Sequence, residues 1–415
     1  MKAKLRIDRI VILIISILLL IVLINLIIPN KIFTIKNFVG NNINTIEKYT
    51  KKHNLKLDIK YSYDEKYDKD IIIDQDIKDT KVEKGDTIKI TVSKGKIDEK
   101  ILKYNEVNEL GRVPIMMYHG IHNVKSEDTA YTGGNVDAEG YNRTSEAFKA
   151  DLDMYYEKGY RVIRLEDYVN GKIDVELGKS PIIITFDDGL VNSIKIEGED
   201  EKGLIIDSNS AVGIMEEYKK KYPDMNITAT FFINGTLFNQ DDYNDKIMKW
   251  LIENNYDIGN HTYNHDNFSN TSIEKTQETI AKLYQKLDNI IPNQYVNIIA
   301  LPYGSPFVTT HVNFPYILKG SYDDYEYENI ATLRVGWLPE ASPFNIDFDK
   351  TFLKRVRAWD NNGENFDIKY TFDNLEKNRF ISDGRSDVIV YPKSLNDKFN
   401  TNITDKIIFT YDNID

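Results

Sequence analysis

The 415 residues include no cysteine. That excludes disulfides, thiolate zinc sites and a cysteine nucleophile, and it is compatible with export without requiring it. Basic charge is also short. Against 65 Asp and Glu stand 53 Lys and Arg, for a formal charge of −12. A surface of that sign argues against nucleic acid as the main partner, because phosphate binding needs a basic face. No internal repeat is visible. Near the N-terminus, Leu26-Ile27-Ile28-Pro29-Asn30 offers no small-x-small cleavage site, so a signal peptide is a poor reading of what precedes it. Tyrosine is plentiful, at 27 residues. Tyrosine can stack on sugar rings, but ordinary half-buried packing accounts for most of these.

Two short stretches stand out. One is Thr185-Phe186-Asp187-Asp188-Gly189, which follows the β-branched run Ile182-Ile183-Ile184 between Pro181 and Gly189. Such a run reads as a buried strand. Adjacent carboxylates at its end resist joint ionisation, so they need a cation or different environments. The other is His261-Thr262-Tyr263-Asn264-His265, whose two imidazoles are spaced so that both can face one metal ion. Two His and one Asp make a three-ligand site with open positions, and the spare Asp is free to act as a base. Thr262 stands where a His-Glu-x-x-His metalloprotease needs its Glu.

From the N-terminus, Lys2, Lys4, Arg6 and Arg9 face one acid, Asp8, in residues 1–9. Ile10 to Ile28 is aliphatic apart from Ser16 and Asn25, about 19 residues and long enough to span hydrocarbon as a helix. The positive flank predicts an uncleaved single-pass anchor over 10–28, with residues 1–9 in the cytoplasm and the remainder outside the cell membrane. Residues 33–96 read as a small α+β unit, with a helix over Thr45–His53 and strands at Lys56–Tyr63, Ile71–Ile73 and Thr87–Val92. Residues 97–112 are charged and aperiodic and read as a linker, helical or not. From 113 to 415 strands and helices alternate, with the notable residues at strand ends, which indicates an α/β barrel. The apolar run from Val113 reads as a buried strand ending in His119. Strands are also expected at Tyr160–Leu165, Thr228–Ile233, Val296–Leu301, Thr332–Val335, Phe352–Val356 and Val388–Tyr391, and the clearest helix at Ser272–Ile290.

The two stretches, with the Pro302-Tyr303-Gly304 turn downstream, resemble the polysaccharide deacetylases (the NodB-homology domain, carbohydrate esterase family four). Residues 33–96 resemble a PASTA domain. The residues that carry that likeness are Ile35-Lys36-Asn37-Phe38-Val39-Gly40, Ile73-Asp74-Gln75-Asp76, Val82-Glu83-Lys84-Gly85-Asp86-Thr87 and Val92-Ser93-Lys94-Gly95, although the usual proline after Asp76 is Ile77. The first resemblance implies a distorted (β/α)7 barrel and one divalent metal, zinc being expected and other divalent ions also suiting the set. It implies Asp188, His261 and His265 as metal ligands, Asp187 as general base, and the Tyr303 main-chain N–H in the oxyanion site, with Pro302 and Tyr303 against substrate. The second implies contact with wall polymer or a spacer off the membrane.

Two departures matter. The position three residues before Tyr303, where the family carries an Arg that orients the base, is Ala300, and Arg355 and Arg357 are the candidates to replace it. The family's late Leu-x-His strand has no counterpart, because Val388-Ile389-Val390-Tyr391 lacks histidine and the last histidine is His311. Val113-Pro114-Ile115-Met116-Met117-Tyr118-His119 resembles a segment of the poly-N-acetylglucosamine branch, whose late motifs are permuted ahead of the Asp pair. That makes His119 the candidate acid, ahead of His122 and His311. The expected function is metal-dependent N-deacetylation of cell-wall peptidoglycan. Alternatives are a poly-N-acetylglucosamine deacetylase, a degenerate polysaccharide-binding protein, and an esterase for O-acetyl sugars.

Overall fold

The structure, a computed structural model, describes residues 32–364 and 366–412. The expected tail and membrane helix over 1–28 lie outside these residues. Among the described residues no helix is long and apolar enough to cross a membrane. The chain divides into two compact units, Met1–Asp98 and Glu99–Asp415.

In the first unit, helix α1 (Ile43–His53) packs with a three-stranded sheet. Its strands are β1 (Lys56–Ser62), β2 (Ile72–Gln75) and β3 (Thr87–Ser93). The Asn42 side chain caps the helix N-terminus and Asn54, in the left-handed conformation, closes it. Alternation along β3 puts Ile88, Ile90 and Val92 on one buried face, against Ile46 and Ile72. Central β3 pairs in parallel with β1 and antiparallel with β2.

The second unit is built on a curled row of seven parallel strands. They are β4 (Ile115–Tyr118), β6 (Ser180–Phe186), β7 (Thr230–Ile233), β8 (Asp257–Asn260), β9 (Ile298–Ala300), β10 (Ala331–Leu333) and β11 (Val356–Arg357). Their order across the row is β10-β9-β8-β7-β6-β4-β11, and β5 (Tyr160–Val162) lies along the first half of β6. One stretch touches both edges of the row. Leu353 bridges to Leu333, and Val356, three residues on, pairs with Met116. All seven residues of β6 are buried, as a parallel strand covered on both faces must be. Helices α2 (Ser145–Glu157), α3 (Ala211–Lys221), α4 (Asn244–Glu253) and α5 (Ile273–Ile290) fall between the strands from β4 to β9, and α6 (Ile368–Leu375) follows β11. Ser272 and Thr144 cap α5 and α2 through their hydroxyls.

Several expectations change. Residues 99–112 are not a free linker. Glu99–Tyr104 is helical, and Leu102, Val107, Glu109 and Leu110 are buried within the second unit. The charged residues there mask an apolar set. The strand expected to run to Leu165 stops at Val162, and Leu165 opens a short helix to Val169. Phe352 belongs to a 3-10 turn, and the strand of that region is β11. Val388–Pro392 is a strand, but it pairs with Ile407–Tyr411 in a separate two-stranded sheet, outside the curled row. A late catalytic histidine could not have come from it.

Candidate active site

The notable residues gather where strands end. Asp187 and Asp188 follow β6, His119 follows β4, and His261 follows β8. They border a cavity of about 270 Å³ together with His265, Tyr303, Leu301, Val335 and Tyr141.

Backbone strain aims these groups. Asp188 adopts a left-handed conformation with φ of 74°, and Gly189 follows at 62°. A Cβ on Gly189 would lie 2.0 Å from the Leu237 carbonyl oxygen, so only glycine fits. The His261–His265 segment is a turn rather than a helix, with Thr262 at φ 64° and His265 at 57°. Asn260 braces it, accepting from Thr262 N–H at 2.7 Å and donating to the Ile280 carbonyl at 3.1 Å.

Asp188 Oδ1 lies 3.2 Å from His261 Nε2 and 3.2 Å from His265 Nε2. The His261 ring is fixed by its Nδ1, which donates to the Ala300 carbonyl at 2.9 Å and leaves the Nε2 lone pair facing Asp188. Ala300, where an Arg was missed, thus serves through its backbone. The ligand-type atoms of Asp188, His261 and His265 all lie within 4.8 Å of one another. Asp188 Oδ1 is buried and has no hydrogen-bond partner among the described residues. A carboxylate oxygen and two imidazole lone pairs converging without hydrogen bonds fit a divalent cation.

Asp187 is differently placed. It is buried, and Arg355 grips it with Nη1 donating to Oδ1 at 2.7 Å and Nη2 to Oδ2 at 2.6 Å. The Arg355 side chain is fully buried, with Nη1 also 3.2 Å from Thr185 Oγ1 and Nε donating to the Arg334 carbonyl. Burial pushes the Asp187 carboxyl up, yet Arg355 wins and holds it below the usual range. Of the two candidate arginines, Arg355 and not Arg357 lies against Asp187. Its partner could have been found only by knowing that β11 lies beside β4.

Across the cavity, His119 Nε2 is 3.9 Å from Asp188 Oδ2. Its Nδ1 is buried without a partner among the described residues, and its ring packs on Tyr141 with centroids 4.8 Å apart. Burial lowers its pKa, against the pull of Asp187 and Asp188. Tyr141 was not foreseen. It ends a loop held by reciprocal hydrogen bonds between Asn135 and the Asp360 backbone, and Gly140 presses on Trp359, where a Cβ would come within 1.9 Å of Cδ1.

Tyr303 sits on the rim with φ 59°, in a one-turn 3-10 helix over Pro302–Gly304. Its N–H is in a first turn, where no intrahelical partner exists. The residue is 58 % exposed, and its ring lies 4.7 Å from that of His265. Pro302 is buried under the turn and does not border the cavity. His311 accepts locally from Asn313 N–H, and His122 lies against Asn142 at 3.4 Å. Neither borders the cavity.

Residues 174–313 match the polysaccharide deacetylase family and residues 33–94 match the PASTA domain. The chain carries a polysaccharide deacetylase domain and a PASTA domain. Polysaccharide deacetylases are hydrolases of acetylated polysaccharides and generally use a divalent metal. Among solved structures, the chain is similar to the deacetylase PplD of Streptococcus pyogenes, at 18% identity and a TM-score of 0.45, over 63% of this chain and 97% of that one. It is also similar to IcaB from Ammonifex degensii, at 16% identity and 0.37, over 60% and 91%. The three-PASTA-domain fragment of a Staphylococcus aureus Ser/Thr kinase matches at 18% identity and 0.14, over 41% and 92%. No curated protein sequence gives a significant match. The matched segment spans Asp187-Asp188, His261–His265 and Tyr303, whereas His119, Tyr141 and Val335 border the cavity from outside it.

Proposed function

We propose that this protein is a metal-dependent N-deacetylase of cell-wall peptidoglycan, acting on its N-acetylglucosamine or N-acetylmuramic acid. The observation that carries the reading is the division of labour between the two neighbouring carboxylates. Asp188 converges with His261 and His265, while Asp187 is held apart by Arg355. Asp188, His261 and His265 would hold one divalent ion, zinc being the expected one. Such an ion supplies Lewis-acid polarisation of the acetyl carbonyl and acidifies water.

The chain's own residues would do the rest. Asp187, kept ionised by Arg355, takes a proton from the attacking water. Tyr303 N–H donates to the oxygen on which charge develops. His119 gives a proton to the departing amine nitrogen. The curled row is read as the seven-stranded barrel of the deacetylases.

The PASTA domain supports a wall polymer as the partner. The apolar run 10–28 with its basic flank supports a single-pass anchor in the cell membrane, the deacetylase domain lying outside. One feature favours poly-N-acetylglucosamine as a second reading. His119 comes from a strand ahead of Asp187, as the resemblance to that branch implies. The discriminating test is acetate release from N-acetylated glycan and, in parallel, from O-acetylated xylan. Release from the N-acetylated glycan is expected. Release from xylan alone would replace the reading by an esterase.

A further inference from the structure

A second cavity of about 520 Å³ lies on the flank of the deacetylase domain, between residues 337–339 and helix α6. Its volume falls in the range of about 300–1,000 Å³ typical of ligand sites. The walls are aromatic. Trp337, Phe366 and Tyr370 are 41 %, 44 % and 41 % exposed, and the Trp337 and Phe366 rings lie 5.5 Å apart. Large apolar rings left this open in one place mark a binding surface more often than chance.

The polar lining has one sign. Arg112 and Lys354 border the cavity, with Asn374 between the aromatic wall and solvent, and no Asp or Glu borders it. Both cations are half-buried, and neither has a carboxylate within ion-pair distance among the described residues. In a chain of net charge −12 that is unusual. The acids closest in sequence are held by hydrogen bonds or ion pairs of their own. Glu340 accepts from the N–H groups of Ala341 and Lys354, and Asp367 accepts from those of Gly363 and Tyr370. Asp373 pairs with Lys158 and Lys369, and Glu376 with Arg379.

This cavity and the catalytic one share a wall. Val335 borders the catalytic cavity, and Trp337, two residues on, borders the flank cavity. The Arg357 guanidinium lies over Trp337 at 4.7 Å, Trp359 at 4.8 Å and Tyr141 at 5.0 Å, and Tyr141 is itself part of the catalytic wall. A cation stacked among three rings is a rigid connection. Through Arg357, the Tyr141 wall of the catalytic cavity is connected to the Trp337 wall of the flank cavity.

We propose that the flank cavity is a remote subsite for a pyranose that carries a free carboxylate, such as the lactyl-bearing sugar of peptidoglycan strands whose stem peptides have been removed. Trp337 and Phe366 stack on the apolar ring face, and Lys354 and Arg112 pair with the carboxylate. The proposal rests on the peptidoglycan reading above and deepens it. The subsite selects glycan with carboxylates over uncharged poly-N-acetylglucosamine and leaves the chemistry at Asp187 unchanged.

The test is calorimetric binding to the full-length chain in detergent, with chelator present so that no acetyl group is removed. The probes are a tetrasaccharide alternating N-acetylglucosamine with N-acetylmuramic acid, and chitotetraose, which has the same ring number and no carboxylate. The expected result is about tenfold tighter binding of the first. The preference shrinks as salt is raised. Lys354→Gln brings the two affinities to within about twofold, and Trp337→Ala weakens both. The half-buried Lys354 is a surface substitution and carries the test if Trp337→Ala does not fold. Equal affinities in the unmodified chain, or a preference that survives Lys354→Gln, overturns the subsite. Because binding is read without turnover, loss of the preference in an active deacetylase sinks the subsite alone. A kept preference in a chain that releases no acetate sinks only the enzymatic reading.

Discussion

Arg355 holds Asp187 through two parallel hydrogen bonds of 2.7 and 2.6 Å, with both side chains closed off from solvent. A lysine ammonium is a point donor and cannot reproduce that fork. Arg355→Lys is therefore expected to lower turnover about a hundredfold or more by misplacing the base. Arg355→Met strips the charge and leaves a buried carboxylate unpaired, at a cost of about 3–5 kcal/mol. Acetate release for the first and thermal melting for the second are the measurements. Near-normal turnover in Arg355→Lys would remove this residue from the mechanism.

His119 touches the site without belonging to the converging trio. Replacing it with alanine should leave metal stoichiometry as it was while cutting turnover by about 10²–10⁴-fold. Atomic absorption and acetate release together decide this. If turnover stays high, the acid is another group.

Asp188, His261 and His265 bring three donor atoms within 4.8 Å. Alanine at any one of them should reduce bound metal from near one ion per chain to little, as read by equilibrium dialysis against zinc. His265 is the mildest place to ask, since its side chain is 29 % exposed. Full stoichiometry in His265→Ala would rule out this trio as the metal site.

At the opposite end of β8, Asp257 is buried against Arg164, and burial pushes its carboxyl up to about 6 in spite of that partner, with Glu166 and Asp167 adding to the rise. A raised folded pKa means that the folded chain holds the proton more tightly. Its contribution is fully present below about pH 4 and is lost as pH climbs through about 6, a swing of about 3 kcal/mol. Urea unfolding of the wild type and Asp257→Asn between pH 4 and 7 should show a steeper fall with pH in the wild type. Parallel curves would mean that Asp257 titrates normally.

Much of this site was legible because its groups are close in sequence or sit at the ends of β-branched runs. Ile182 to Asp188 announces a buried strand carrying two acids, and His261 with His265 announces a shared target. Arg355 is 168 residues from Asp187, and only the closeness of β11 to β4 makes them partners. Nothing local in Arg355 separates it from Arg357, which instead stacks among Tyr141, Trp337 and Trp359. Tyr141 was hidden for a similar reason, since it lies in a Gly-rich loop whose shape is set by Trp359 and Asp360. The apolar set Leu102, Val107 and Leu110 was masked by charged neighbours, so a packed segment looked like a linker.

The central claim is that Asp187 drives metal-dependent removal of N-acetyl groups from wall polymer. The direct test uses residues 33–415 and the Asp187→Asn variant, offered purified peptidoglycan and poly-N-acetylglucosamine, with zinc or cobalt and with chelator. Acetate release from peptidoglycan that chelator stops, and that Asp187→Asn lacks while still binding metal, is the predicted result. Release that survives chelator, or wild-type rates in Asp187→Asn, would contradict the account.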